Sequence, residues 1–300
     1  MEFSKEVKDL IRDGIDMHLH SAPDLLPRKA NDIEFAKMAK EYGMSGFVIK
    51  SHYTPTAERA SLVRYSVEGF KAYGSIVLNN SVGGINPVAV EVSAKLGAKV
   101  VWMPTVDSPN ERGRWKNVDD WSKAPYWARL QKDLKSFAVM SLVNVWDEDG
   151  ELLDEVYHVF DIIKEYNMIL ATGHLSPEEG IKLVRVAYEH GIRKIIITHP
   201  DFPSTLYTLE QQKELLQYGV MLERCFTTPY SGKTTWDKVI SAIRTTGPSW
   251  NIISTDLGQP NAPYPVEGML MFAERLLQNG FTTEEIQKMI VDNPKRLLEE

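Results

Sequence analysis

GIDMHLHSAPDLLPRKANDIEFAKMAKEYGMSGFVIKSHY, residues 14–53, carries one complete repeat of the pattern that decides the fold. GIDMHLH (14–20) is an apolar run that turns polar at its end, and it predicts a strand. NDIEFAKMAKEYG (31–43) has helical periodicity, with Gly43 just beyond its last turn. GFVIKSHY (46–53) is a second apolar run that again ends in polar residues. Strand, helix and strand in this spacing form a βαβ unit, which calls for a parallel pair and a crossover helix.

The unit recurs along the chain. Further strands are expected at 74–82, 98–107, 168–175, 193–201, 220–226 and 251–259. Helices are expected at 56–70, 87–97, 154–167, 176–191, 208–219, 234–247, 266–280 and 282–300. The rhythm pauses after the fourth strand. Residues 108–154 exceed an ordinary connection, and FAVMSLVNV (137–145) within them reads as an added strand pair or hairpin. Eight strand–helix alternations point to an α/β protein, a (β/α)8 TIM barrel formed as a single domain over residues 1–300, with a long insertion after strand four. The strands are near-continuous apolar runs, as a parallel sheet buried on both faces requires. An open doubly wound sheet is disfavoured, because SVGGIN (81–86) lacks the GxGxxG spacing of a phosphate-binding turn.

Composition narrows the partners. The net charge is −7, and no basic run interleaved with aromatics is present, which argues against nucleic acid. Cys225 is the only cysteine, and neither a signal-peptide pattern nor a membrane-length apolar run is found. A cytoplasmic protein acting on a small-molecule substrate is expected, with no membrane partner, and a closed homo-oligomer is the default assembly.

The histidines carry the functional signal. Of seven in the chain, five fall at predicted strand ends: His18 and His20 on strand one, His52 on strand two, His174 on strand five and His199 on strand six. Strand eight ends in Asp256. Barrel active sites are built at this end, and chance would place roughly one or two histidines there. Residues i and i+2 of a strand share a face, so His18 and His20 can converge on one ion. Imidazole and carboxylate suit zinc, manganese, iron, cobalt or nickel. Asp16 has the same parity and can orient a histidine from behind.

HxH after strand one, histidines after strands five and six and an aspartate after strand eight resemble the amidohydrolase superfamily of metal-dependent TIM-barrel hydrolases, and the chain looks like an uncharacterised branch of it. The match spans essentially the whole chain, and the tail IVDNPKRLLEE (290–300) is similar to an ending common there. The resemblance implies one or two divalent metal ions, zinc foremost, held by His18, His20, His174, His199 and Asp256. It implies water activated by the metal, with Asp256 as general base, cleaving an amide, cyclic amide or lactone bond. With one metal, His199 would steer water or substrate instead. The pattern departs in one respect: strand four ends in PTVD, without the bridging lysine or glutamate of two-metal members. Lys50, two residues before His52, is the replacement candidate, either carboxylated as a bridge between metals or protonated and holding a substrate carboxylate.

Substrate contacts are expected from His52, Arg28, Glu223 and Arg224. Arg112, Arg114 and Trp115 are lid candidates in the insertion, and Asn79 and Asn80 bind substrate or make turns. His158 and His190 read as structural. Two alternatives stay open: a non-oxidative metal-dependent decarboxylase, and a PHP-type phosphoesterase, whose opening motif DMHLHS resembles but whose terminal DxH is absent here.

Overall fold

The computed structural model describes residues 2–115, 120–134 and 141–300. Its eight strands are β1 Ile15–Leu19, β2 Gly46–Ile49, β3 Lys71–Val77, β4 Ala98–Trp102, β5 Ile169–Ala171, β6 Ile195–Ile197, β7 Met221–Cys225 and β8 Asn251–Ser254. They pair in chain order, each parallel to the next. The result is the expected (β/α)8 barrel. Helix α1 (Lys5–Leu10) precedes β1. Helices α2 (Asp32–Glu41), α3 (Ala57–Ser66) and α4 (Pro87–Lys95) follow the first three strands. The insertion after β4 holds α5 (Pro109–Gly113) and α6 (Tyr126–Asp133), and α7 (Asp154–Glu165) leads into β5. Then come α8 (Pro177–Glu189), α9 (Leu209–Leu215), α10 (Thr227–Tyr230), α11 (Trp236–Thr246), α12 (Pro265–Gln278), α13 (Thr283–Gln287) and α14 (Asn293–Glu299).

Local chemistry sets the helix starts. Asn31 with Glu34, Ser176 with Glu179, Thr208 with Gln211 and Thr282 with Glu285 form reciprocal capping boxes, which satisfy otherwise orphaned amides. Long-range packing sets the rest. Ile15, Met17, Val48, Val77, Val100, Trp102, Ile169, Ile196, Met221 and Ile252 fill the barrel, and Leu297 and Leu298 of α14 join that cluster. Asn293 donates from Nδ2 to the carbonyls of Asn251 (2.7 Å) and Pro248 (2.9 Å), fastening α14 to the start of β8. No helix among the described residues is long and apolar enough to cross a membrane.

The strand pair expected at 137–145 is not formed over 141–145, which carry no strand; residues 137–140 lie outside the described residues. An apolar run there reads as strand, but Val143 and Val145 are buried as a loop packed against the barrel's outer layers.

Closure of the barrel falls between β1 and β8. The His20 amide donates to the Leu257 carbonyl (2.7 Å), and the Asp256 amide donates to the His18 carbonyl (2.7 Å). Asp16 accepts from the amides of Thr255 (3.0 Å) and His18 (3.2 Å) and from the Thr255 hydroxyl. It therefore stitches backbone and does not orient an imidazole, as its parity alone suggested. The ladder between β1 and β2 shifts register between Asp16 and Leu19. Gly258 then passes so close to β1 that an added Cβ would lie 1.7 Å from the His20 carbonyl oxygen, at a backbone φ of +140°. Gly258→Ala is expected to destabilise the fold by about 3 kcal/mol. Urea unfolding would measure this, and a variant with an unchanged midpoint would refute the close approach.

Candidate metal centre

β1 delivers His18 and His20, the turn after β2 delivers Lys50 and His52, and the turns after β5, β6 and β8 deliver His174, His199 and Asp256. The structure brings these seven residues together. The rings of His18 and His20 lie 5.3 Å apart, His20 and His52 5.0 Å, His52 and His174 5.9 Å, His174 and His199 5.0 Å, and His18 and His199 6.2 Å. All five imidazoles are buried. Two of the positioning turns are conformationally demanding. His199 and Asp256 both hold positive φ, 27° and 51°, a region that costs about 1–3 kcal/mol outside glycine. Before His174, Gly173 turns at φ +62°, where a Cβ would meet the Met103 carbonyl at 2.3 Å.

The Nδ1 atoms of four imidazoles are anchored from behind. His18 Nδ1 is 3.2 Å from Glu223 Oε2, and His174 Nδ1 is 3.3 Å from Glu111 Oε2. The second contact is an ion-pair approach without hydrogen-bond alignment, since both atoms otherwise lack a partner. His52 Nδ1 is 2.8 Å from Thr105 Oγ1, itself braced by Asn79 Nδ2 at 2.8 Å. His199 Nδ1 is 3.0 Å from Thr205 Oγ1. A carboxylate only accepts, so the Glu223 contact places a proton on His18 Nδ1, and the nearby Glu111 favours the same form of His174. The Thr205 hydroxyl donates to the His199 carbonyl, so it accepts from His199 Nδ1. The Nε2 atoms of His174 and His199 are then turned inward as lone pairs, whereas His18 Nε2 meets both Lys50 and the Asp256 carboxylate.

Those lone pairs are short of donors. His174 Nε2 and His199 Nε2 face each other at 3.3 Å. Two lone pairs at that distance repel unless a cation or proton lies between them. Two nitrogens bound to one zinc ion in a tetrahedral arrangement would sit about 3.3 Å apart, from bond lengths of about 2.0–2.1 Å. On the other side, Asp256 Oδ1 lies 3.2 Å from His18 Nε2 and 3.1 Å from His20 Nε2. The donor atoms of His18, His20 and Asp256 all lie within 4.8 Å of one another. Burial holds His20, His52 and His199 well below the ordinary imidazole range and lowers His174 as well, so the neutral, ligating form is favoured. Burial opposes ionisation of Asp256, but His18 and His20 outweigh it and hold that carboxyl well below its usual range. The donor set fits divalent cations. His18, Glu223 and Cys225 also cluster, but there the imidazole nitrogen is Nδ1, already on the glutamate, and burial drives the Cys225 thiol upward to its protonated form.

Lys50 is 1% exposed. Its Nζ is 3.0 Å from His18 Nε2 and 5.1 Å from the Trp102 ring centre. Burial lowers its pKa, which favours the neutral amine.

The remaining sequence candidates separate. Arg28 lines the cavity over the centre, with Nε on Asp24 at 2.8 Å. Glu223 and Arg224 do not line it. Glu223 stands behind His18, and the Arg224 guanidinium is turned onto Asp201 (2.8 Å), Gln212 (2.7 Å) and Asn251 (2.8 Å), because alternate residues of β7 face opposite sides of the sheet. Arg112 contacts Asp107 at 3.4 Å, and Arg114 donates to the Pro203 carbonyl at 3.0 Å. Asn79 is consumed within the scaffold, and His190 pairs with Asp161 at 2.8 Å. Sequence reasoning missed Glu111, Phe202, Trp127 and Lys233. Glu111 alone left a trace, as the third residue after a Ser108 helix cap. Burial would raise the Glu111 carboxyl, but His174, Ser204 and Trp115 outweigh it and bring it to about 2.

The fold is a (β/α)8 barrel whose mouth gathers five buried imidazoles and a carboxylate. The structure superposes on an amidohydrolase from Pseudomonas aeruginosa with a TM-score of 0.66 at 12% identity, covering 98% of this chain and 97% of that one. It matches the phosphotriesterase homology protein from Escherichia coli, whose structure has phosphate in its active site, with a TM-score of 0.62 at 12% identity, covering 96% and 99%. It matches a β-aspartyl dipeptidase from Fervidobacterium islandicum with a TM-score of 0.60 at 14% identity, covering 96% and 73%. The chain belongs to the family of unknown function DUF6282, whose model matches residues 13–223. No curated protein matches it by sequence.

Removing the charge behind His174 tests the anchoring. Glu111→Gln is expected to weaken zinc binding about 10–100-fold in competition with a chelator. Unchanged affinity in a folded variant would remove Glu111 as a positioning residue.

Proposed function

We propose that this chain is a metal-dependent hydrolase of an amide, cyclic amide or lactone bond, acting as one (β/α)8 domain. The observation that carries the reading is the approach of His174 Nε2 and His199 Nε2 to 3.3 Å, beside a second set made by His18, His20 and Asp256. The first set would hold one divalent ion and the second another, with Lys50 beside His18 of the second set. Such ions supply Lewis acidity to a carbonyl and make water nucleophilic near neutral pH.

The chain's own groups do the rest. Asp256, ionised and reached by the Thr227 hydroxyl at 3.0 Å, takes a proton from the attacking water and passes it to the leaving group. Thr205, 3.0 Å from His199 Nδ1, fixes that imidazole. His52 and Arg28 line the cavity and contact substrate. Lys50 as an ammonium competes with a cation for the His18 lone pair. As a neutral amine it condenses with CO2, forming an N–C bond and releasing a proton, and the resulting carbamate offers two oxygens in place of a positive charge.

The ion count tests the reading. Gently purified protein is expected to contain two divalent ions per chain, and a folded chain with none would overturn the proposal. After chelation, bicarbonate should aid reloading, and intact mass under native conditions should show one added CO2 that is lost in Lys50→Met. Asp256→Asn should lower turnover by at least about 100-fold with folding retained; near-normal turnover would remove the base. Release of CO2 from substrate in place of water uptake would favour a decarboxylase.

A further inference from the structure

The cavity above the centre has a volume of about 500 Å³, suited to a small molecule. Its charge is opposite to that of the chain. The protein carries a net −7, yet Arg28, Lys50, Arg129 and Lys233 line this cavity, and among the described residues Asp256 is the one carboxylate that does. Lys50 and Asp256 belong to the proposed catalytic set. Among the described residues the outer wall is left with three cations and no acid.

Lys233 is the most available of the three. It lies in the loop between α10 and α11 and is exposed, with Nζ 4.2 Å from the centre of the Phe202 ring. Among the described residues, no carboxylate lies within ion-pair distance of it. A lysine resting on an aromatic face and lacking an acid keeps its donors free while its stem is held in place. Arg28, from the loop after β1, is 4% exposed and is fixed by Asp24 through Nε and Nη2, neither contact using Nη1. Two loops thus bring cations to one cavity from opposite ends of the sequence, and field lines concentrate in such a cleft.

We propose that Lys233 and Arg28 form a subsite for an anionic group of the substrate, a carboxylate or a phosphate ester, remote from the bond that is cut. This rests on the hydrolase reading and adds the substrate class: an amide or lactone with a negatively charged tail. Lys233 is its specificity-determining residue.

Calorimetric titration of the metal-containing protein tests it. The probes are dicarboxylates from malonate to adipate, monocarboxylates of matching length, and 3-phosphonopropionate. At one chain length the dianion is expected to bind about tenfold or more tightly than the monoanion, the worth of one charge-assisted contact. Lys233→Met should erase that difference, leaving monocarboxylate binding unchanged, and Lys233→Arg should keep it. Tighter binding of the phosphonate than of succinate identifies the tail as a phosphate; the reverse identifies a carboxylate. Equal binding of dianion and monoanion at every length, or a preference that survives in Lys233→Met, overturns the subsite while leaving the hydrolase reading intact. Protein that contains no metal and binds no monocarboxylate overturns both.

Discussion

The closure between β1 and β8 is the constraint on which the rest of this structure depends. Asp16, buried at the seam, accepts from two backbone amides and the Thr255 hydroxyl. Burial pushes its carboxyl up to about 7, so the seam tolerates a group that water would hold ionised. The same closure crosses the Asp256 amide onto the His18 carbonyl and the His20 amide onto Leu257. Residues more than two hundred positions apart therefore become neighbours, and a carboxylate from the last strand meets both imidazoles of the first. The positive φ of Asp256 and the bare Cα of Gly258 follow from how closely the two strands approach.

Packing five imidazoles out of water is costly unless each polar atom is answered. The barrel answers the outer nitrogens, with Glu223, Glu111, Thr105 and Thr205 behind four of the rings. It leaves the inner ones in want of a cation. Lys50 answers one of them, at 3.0 Å from His18. The His174 and His199 Nε2 atoms instead face each other at 3.3 Å.

Rigid and variable parts are divided accordingly. The ligand-type residues stand at strand ends or in the first turns beyond, held by the ladder. The cavity wall above them comes from longer segments: α6 of the insertion with Trp127 and Arg129, and the loop carrying Lys233. A common catalytic floor beneath a loop-built wall lets one architecture accept many substrates.

Much was legible in order along the chain. Alternating apolar runs and helical stretches determined the barrel, because a parallel strand must bury both faces and needs a crossover to reach its neighbour. His18, His20, Lys50, His52, His174, His199 and Asp256 were legible because each closes such a run, and strand ends share one rim. What lay off that rim was not. Glu111 sits in an insertion helix, and nothing in its neighbours says that it will stand behind His174. Glu223 and Arg224 are adjacent and both polar, yet only the direction in which β7 faces decides that one backs His18 and the other turns to Asp201. Residues 141–145 belong to a run of strand composition, but sheet formation requires a partner edge, and a closed barrel offers them none. Sequence alone determined which residues close the strands at the rim, since that follows from local periodicity. Tertiary structure alone decided which nitrogen of each imidazole faces inward and which cations share the cavity, since those depend on contacts between segments distant in the chain.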